Sequence, residues 1–180
     1  MRCSWCDEKD SLYVVYHDTE WGRAVHDDKK LFELLVLELF QTGLSWKCVL
    51  HKRQAFKQAF DNFDVEKIAL YSSEKINQLK ENAAIIRHEG KIKATIQNAA
   101  VFMNIQREFK TFDNYIWQWT DRKTLMIEAT QTSSPLSQSI STDLFLRGMK
   151  FMGPVVVHSY LSAIGVFSAH EKNCFLHNCR

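Results

Sequence analysis

Only two prolines and six glycines punctuate the 180 residues. So few turn-formers give no sign of a fibrous repeat and argue against a chain of many short strands. An excess of one charge is also missing: 23 Lys and Arg against 21 Asp and Glu leave +2. That balance is too small to imply a polyanionic partner, so only the placement of charge is informative. Uninterrupted apolar runs are absent too. LFELLVLELF carries Glu33 and Glu38, and PVVVHSYLSAIGVF carries His158, which argues against a membrane span. The opening MRCSWCDEKD is too polar for a signal peptide. The expectation is a cytoplasmic chain with no membrane contact, and no repeat, low-complexity tract or domain linker is apparent.

What is present is ordinary globular material, 46% apolar and 24% charged, in a length that one hydrophobic core can serve. A single domain over 1–180 is expected. Apolar residues recur at three and four rather than alternating, so the fold class is all-α. Ser11 reads as the N-cap of a helix to about Trp21 that ends at Gly22 and carries Tyr13, His17 and Trp21 on one face. Asp27 or Asp28 starts LFELLVLELF, Thr42 and Gly43 break it, and Ser45 starts a third helix. Further starts are expected at Asp64 and Ser73. Residues 73–109 spell a short helix, a tight connection near AAIIRH and a long helix from Glu89 to Phe109, a helix-hairpin-helix outline. Residues 120–140 read as a long surface loop, Ser141 or Thr142 as the cap of DLFLRGMKF, and Gly153-Pro154 as the opening of a last helix.

Four constellations can carry chemistry. Glu38 falls on the most apolar side of its helix, between Leu31, Leu34 and Leu35, whereas Glu33 points away. A carboxylate so placed loses hydration, at a cost of several kcal/mol unless partners or a proton replace it. It either accepts bonds from a buried donor or serves a pocket. Second, four of five cysteines lie within seven residues of a terminus. Cys3, His17, His170 and Cys174 form a four-ligand zinc set that staples both ends, and Cys3, Cys6, Cys174 with His177 or Cys179 form an equally plausible one. Third, Tyr13, Tyr16, Trp21 and Trp46, with Trp5 close by, are either core or the walls of a cavity for a flat, cationic, nitrogen-rich ligand. Fourth, the hairpin precedes a helix N-terminus suited to phosphate. Residues 80–110 hold six Lys or Arg, Arg87, Lys91 and Lys93 among them, against three acids. The basic run Lys47, Lys52, Arg53, Lys57 reads either as a solvated face or as support for a nucleic acid.

The ordered blocks Cys3, YHDTEWG at 16–22, LFELLVLE at 31–38, QTGLSW at 41–46, HKRQAF at 51–56, IIRHEGKIKA at 85–94, LRGMKFMGP at 146–154 and His170-x3-Cys174 closely resemble the DNA-3-methyladenine glycosylase I family. These are base-excision repair enzymes of the helix-hairpin-helix superfamily. The resemblance covers nearly the whole chain. It implies a helix-hairpin-helix glycosylase-like domain with a lobe joining the terminal segments, stapled by a structural zinc on Cys3, His17, His170 and Cys174. It further implies that Glu38 and Tyr16 contact the extruded base, that Trp46 stacks on it, and that Tyr13 and Trp21 complete the wall. The implied reaction is hydrolysis of the N-glycosidic bond of 3-methyladenine, without a lyase step. Its substrate is double-stranded DNA carrying alkylated bases, its product free 3-methyladenine, and the enzyme acts as a monomer. Gly43 and Leu44 are placed to wedge the duplex, and Arg87 and Lys91 to hold its backbone. A non-catalytic module of the same fold that senses alkylated bases is the alternative. The chain departs from the family pattern at Ala24, Leu39-Phe40, Thr42, His158 (usually tyrosine) and Ser168-Ala169. Ala84 stands where the hairpin is expected to need glycine, a change that costs about 1 kcal/mol if φ is positive.

Overall fold

The computed structural model describes residues 1–177, with nine α-helices among them. In order these are α1 (Ser11–Thr19), α2 (Asp28–Gln41), α3 (Trp46–Ala59), α4 (Val65–Ala69), α5 (Ser73–Glu81), α6 (Glu89–Phe109), α7 (Phe112–Trp117), α8 (Pro135–Leu146) and α9 (Pro154–Ala163). Two short strands, β1 (Leu125–Met126) and β2 (Phe167–Ser168), pair in parallel, Leu125 against Phe167. No helix among the described residues is long and apolar enough to cross a membrane.

Most helix starts carry a side-chain cap that satisfies an orphan N–H. Asp27 accepts from the Lys30 N–H, Ser45 from Cys48, Asp64 from Lys67 and Ser72 from Lys75. The first helix is capped by Asp10, which accepts from the Tyr13 N–H, and not by Ser11. It stops at Thr19, short of Trp21, because Gly22 at φ +75° turns the chain and donates its N–H to the Ser162 carbonyl. The expected start at Ser141 or Thr142 is also displaced. The helix begins at Pro135, where Ser134 and Ser137 form a reciprocal capping box around a proline in the first turn.

Helix α2 is the central strut. Leu31, Phe32, Leu34, Leu35, Val36, Leu37, Leu39 and Phe40 are all buried, and the helix packs against α3, α6, α7 and α9. Asp28, in its first turn, accepts from the backbone N–H groups of Phe112 and Asp113 and so caps α7 as well. The α5–α6 hairpin forms as expected. Ala84 does not take positive φ, so it carries no such cost: Asn82 Oδ1 accepts the Ala84 N–H at 3.0 Å, and the Ile85 N–H bonds the Asn82 carbonyl.

A ring-walled cavity and a four-donor cluster

Glu38 lies in the third turn of α2, on the face turned to α9, and is only 5% exposed. Among the described residues it makes no ion pair or hydrogen bond. Desolvation alone pushes its carboxyl up to about 8, as expected for a group that has lost water and gained no partner. Glu33 points the other way, onto Arg53 at 2.6 Å and Lys30 at 3.2 Å.

The helix ends just beyond Glu38, and the 42–45 loop turns the chain so that Trp46 opens α3 beside it. Trp46 is packed against Tyr16, with ring centroids 5.0 Å apart at 43°. Burial holds the Tyr16 phenol well above its ordinary pKa, so it stays protonated and able to donate. Trp5 bridges Tyr13 (5.4 Å) and Trp21 (4.9 Å), both edge-on. These five rings and Glu38 line one side of a cavity of about 300 Å³, at the small end of the usual ligand range. Gln41, then Ala129, Gln131 and Thr132 from the loop between β1 and α8, and His158 and Ser162 from α9 are among the other lining residues. The Trp46 indole N–H is buried without a partner. Gln41 and the 129–132 loop were not singled out as site residues from sequence. From sequence that segment reads only as a long surface loop, a feature that in general accompanies functional segments.

Behind the rings, Cys3, His17, His170 and Cys174 meet. Their donor atoms all lie within 4.8 Å of one another, and all four side chains are buried. Cys3 Sγ is 3.4 Å from His170 Nδ1, and Cys174 Sγ is 3.5 Å from His17 Nε2. This is a two-sulfur, two-nitrogen set able to hold a metal ion. His17 Nδ1 bonds Asp18 at 2.8 Å, and Arg2 grips Asp18 in turn, which fixes the ring with Nε2 toward the cluster. The competing set fails: the Cys6 thiol turns to the Tyr13 carbonyl and His177 Nδ1 to the His170 carbonyl, while Cys179 lies outside the described residues. The cluster backs onto the cavity rings: Trp5 sits 5.2 Å from His17, and Trp21 lies 4.7 Å from His170.

The charges expected to face a duplex divide sharply. Lys91 is a correction. It is 6% exposed, and its ammonium donates to the carbonyls of Phe40 (2.9 Å) and Thr42 (2.5 Å). Lys91 therefore tethers α6 to the C-terminal end of α2, where orphan carbonyls carry the negative end of the helix dipole. The basic run on α3 is likewise mostly spent within the protein. Lys47 pairs with Asp7 and Asp10, Arg53 with Glu20 and Glu33, and Lys52 donates to the Ala84 carbonyl. Lys93 pairs with Glu89. Arg87 is exposed and forms no ion pair among the described residues. Gly43 takes φ +78° in open space, and Leu44 beside it presents an apolar side chain 42% exposed.

An all-α frame closing aromatic walls around a desolvated carboxyl is the arrangement of a protein that encloses a flat, nitrogen-bearing ring. Residues 5–177 match the family model for methyladenine glycosylase. The chain is 38% identical to DNA-3-methyladenine glycosylase 1 of Escherichia coli (strain K12), over 96% of this chain and 95% of that one. A crystal structure of 3-methyladenine DNA glycosylase I superposes with TM-score 0.94 at 37% identity, covering 98% of this chain and all of that one. A second, a tyrosine-to-phenylalanine variant of 3-methyladenine DNA glycosylase I in complex with 3-methyladenine, superposes at 0.92 with 32% identity, covering 97% and 96%. The chain belongs to the methyladenine glycosylase family.

Proposed function

We propose that this chain is a monofunctional DNA glycosylase that extrudes 3-methyladenine from alkylated duplex DNA and hydrolyses its N-glycosidic bond. The observation that carries the reading is the unpartnered Glu38 carboxyl inside a cavity of flat rings. Methylation at N3 leaves the purine cationic within the nucleotide. A buried carboxyl that ionises against that charge, together with electron-rich ring faces, therefore prefers it to neutral adenine. The same charge weakens the glycosidic bond, because the base departs neutral and needs little protonation. Glu38 attracts and orients the base and stabilises positive charge developing on the sugar as water replaces it. Tyr16 joins it in contacting the base, Trp46 stacks on the ring, and Tyr13 and Trp21 complete the wall. The reading takes residues 1–180 as one glycosylase domain acting as a cytoplasmic monomer. Release of free 3-methyladenine from methylated DNA tests it, and binding of that DNA without base release would instead indicate a sensor.

Zinc is the metal proposed for the four-donor cluster. A tetrahedral zinc with ordinary Zn–S and Zn–N bonds separates sulfur from nitrogen by about 3.5 Å, close to the Cys3–His170 and Cys174–His17 spacings. When bound it contributes no chemistry to the reaction and holds the terminal segments behind Trp5 and Trp21.

For DNA we assign Leu44 as the wedge that fills the gap left by the extruded nucleotide, with Gly43 letting the loop approach. Leu44→Ala should reduce excision from duplex by roughly tenfold or more and leave excision from single strands nearly unchanged. Equal losses on both substrates would remove the wedge role. Arg87 is assigned to a backbone phosphate, whereas Lys91 acts through structure. Arg87→Gln is therefore expected to weaken duplex binding and shallow its salt dependence by about one counterion, with the melting curve unmoved. Lys91→Met should lower unfolding stability by about 1–3 kcal/mol by stranding two carbonyls. If Arg87→Gln destabilised the fold and Lys91→Met did not, the two assignments would be reversed.

A further inference from the structure

Among the described residues Lys91 is the one Lys or Arg that is buried, at 6% exposure, and its ammonium faces two backbone carbonyls instead of an acid. A buried charge without a counter-ion is costly, so its retention calls for a cause. One of the two carbonyls belongs to the turn that carries Leu44. Thr42 has φ −49° and ψ 116°, Gly43 has φ +78°, and the Leu44 N–H returns to the Gln41 carbonyl at 2.7 Å. These are the features of a type II turn over residues 41–44, with Gly43 where positive φ is required. The Thr42 carbonyl is part of the central peptide of that turn. Flipping this peptide converts type II toward type I, withdraws the carbonyl and sets the Gly43 N–H against the ammonium. An ammonium carries three donors and no acceptor. It therefore favours the observed turn and opposes the flipped one.

The same lysine is anchored in the hairpin. It lies in the first turn of α6, where its own N–H bonds Nδ1 of the N-cap His88 at 3.1 Å, directly after Arg87. From α3, on the far side of the 42–45 loop, Lys52 donates to the Ala84 carbonyl of the hairpin at 3.1 Å. The hairpin is thus fastened to both flanks of the loop, and only the Lys91 tie reaches the turn itself. We propose that Lys91 is a positioning residue for work on duplex DNA: its buried ammonium holds the 41–44 turn in the form that projects Leu44, and so couples the hairpin to the wedge. The inference rests on the function proposed above, in which Arg87 holds a phosphate and Leu44 fills the gap left by the extruded nucleotide. Holding the turn in one form before the duplex arrives spares the ordering cost when Leu44 inserts.

The test is a double-mutant cycle on the intact protein, with wild type, Lys91→Met, Leu44→Ala and the double variant. Two readouts are compared: kcat/KM for excision from methylated duplex, and binding of free 3-methyladenine followed by tryptophan quenching. Assays run at a temperature where melting curves show all four proteins folded. Lys91→Met should lower duplex excision about fivefold beyond any change in its binding of the free base. Placed on Leu44→Ala, which has no wedge left to aim, it should lower duplex excision by less than about twofold. Equal losses in excision and base binding would reduce Lys91 to a structural residue and overturn the inference, as would no loss in either. Losses that multiply in the double variant, or an undiminished Leu44→Ala, would overturn it too, because Lys91 would then not act through the wedge. All of these outcomes leave the glycosylase reading standing. A wild type that releases no base removes both. Should Lys91→Met fail to fold, Lys91→Gln takes its place under the same criteria, since its amide keeps donors on a stem too short to span both carbonyls.

Discussion

Glu38→Gln should make the protein more stable relative to wild type as pH rises, while abolishing most of its excision activity. In the folded chain this carboxyl is pushed up to about 8 from 4.5 by burial. The sign runs opposite to that of a salt-bridged acid: the folded state holds the proton more tightly than the unfolded one. Wild-type stability is therefore undiminished below about pH 4.5 and falls as pH rises, levelling off above about pH 8. Glutamine cannot ionise. Its buried amide carries its own cost of about 1–3 kcal/mol, but that cost is independent of pH. The difference in unfolding free energy, variant minus wild type, should thus climb by roughly 1.4 kcal/mol per pH unit between those limits and then flatten. Denaturant melts at pH 5, 6.5 and 8 measure it directly. Excision from methylated DNA should fall by about 10²–10³, the usual cost of removing an electrostatic stabiliser from a closed site. A cationic nucleotide entering the cavity draws the carboxyl into its ionised form, so wild-type kcat/KM should rise with pH toward 8 and the residual activity of the variant should not. A stability difference that stays flat with pH would falsify the desolvated carboxyl, and full activity in the variant would remove its role in the reaction.

That carboxyl was legible in the chain because helical period is strict: a glutamate three and seven residues from Leu35 and Leu31 must share their face. The long helix Glu89–Phe109 and the start at Pro154 were legible for the same kind of reason, a sustained period or a Gly-Pro pair. The start of α8 was not. Its capping box uses Ser137 where glutamate or glutamine is the usual signal, so SSPLSQ reads as loop. Charge was the least legible property. Lys91, Lys47 and Arg53 look like a phosphate track in one dimension, yet their partners are the Phe40 and Thr42 carbonyls, Asp7 and Asp10, and Glu20 and Glu33, brought close only by folding. The cluster shows the same limit. Spacing left two ligand sets equal, and it took the turn of Cys6 toward Tyr13 to separate them. Family resemblance implies the set whose donors meet in the fold, because it carries three-dimensional information that periodicity lacks.

Loss of the proposed zinc should cost the protein its ring-walled cavity as well as its stability. Cys3 reaches the cluster from an opening segment that precedes α1, and Cys174 and His170 reach it from the segment after β2. Apart from the cluster these two segments are tied by polar contacts: Ser4 donates its N–H and hydroxyl to Glu171, the Phe175 N–H bonds the Met1 carbonyl, and Arg2 lies over the Phe175 ring. Cys3, Cys174 and Leu176 form a small apolar cluster of their own, separate from the main core, against which Trp5 and Trp21 pack. So few buried side chains cannot hold two chain ends against their conformational entropy, which is about 1–2 kcal/mol per ordered residue. The proposed zinc would supply the difference. In Cys3→Ala one ligand is gone and affinity collapses. Metal analysis should find about one zinc per chain in wild type and only background in the variant. Thermal unfolding should begin at least about 10 °C lower, the shift that several kcal/mol produces in a domain of this size. Because Trp5 lies against Tyr13 and Trp21, freeing the opening segment also opens the aromatic wall, so binding of 3-methyladenine should weaken in parallel with metal loss. Cys6→Ala is the matched control: this thiol is also buried, five residues before α1, and outside the cluster. It should retain zinc and binding. Equal zinc content in Cys3→Ala and wild type, or equal loss in the two variants, would show that the four donors meet for packing and not for a metal.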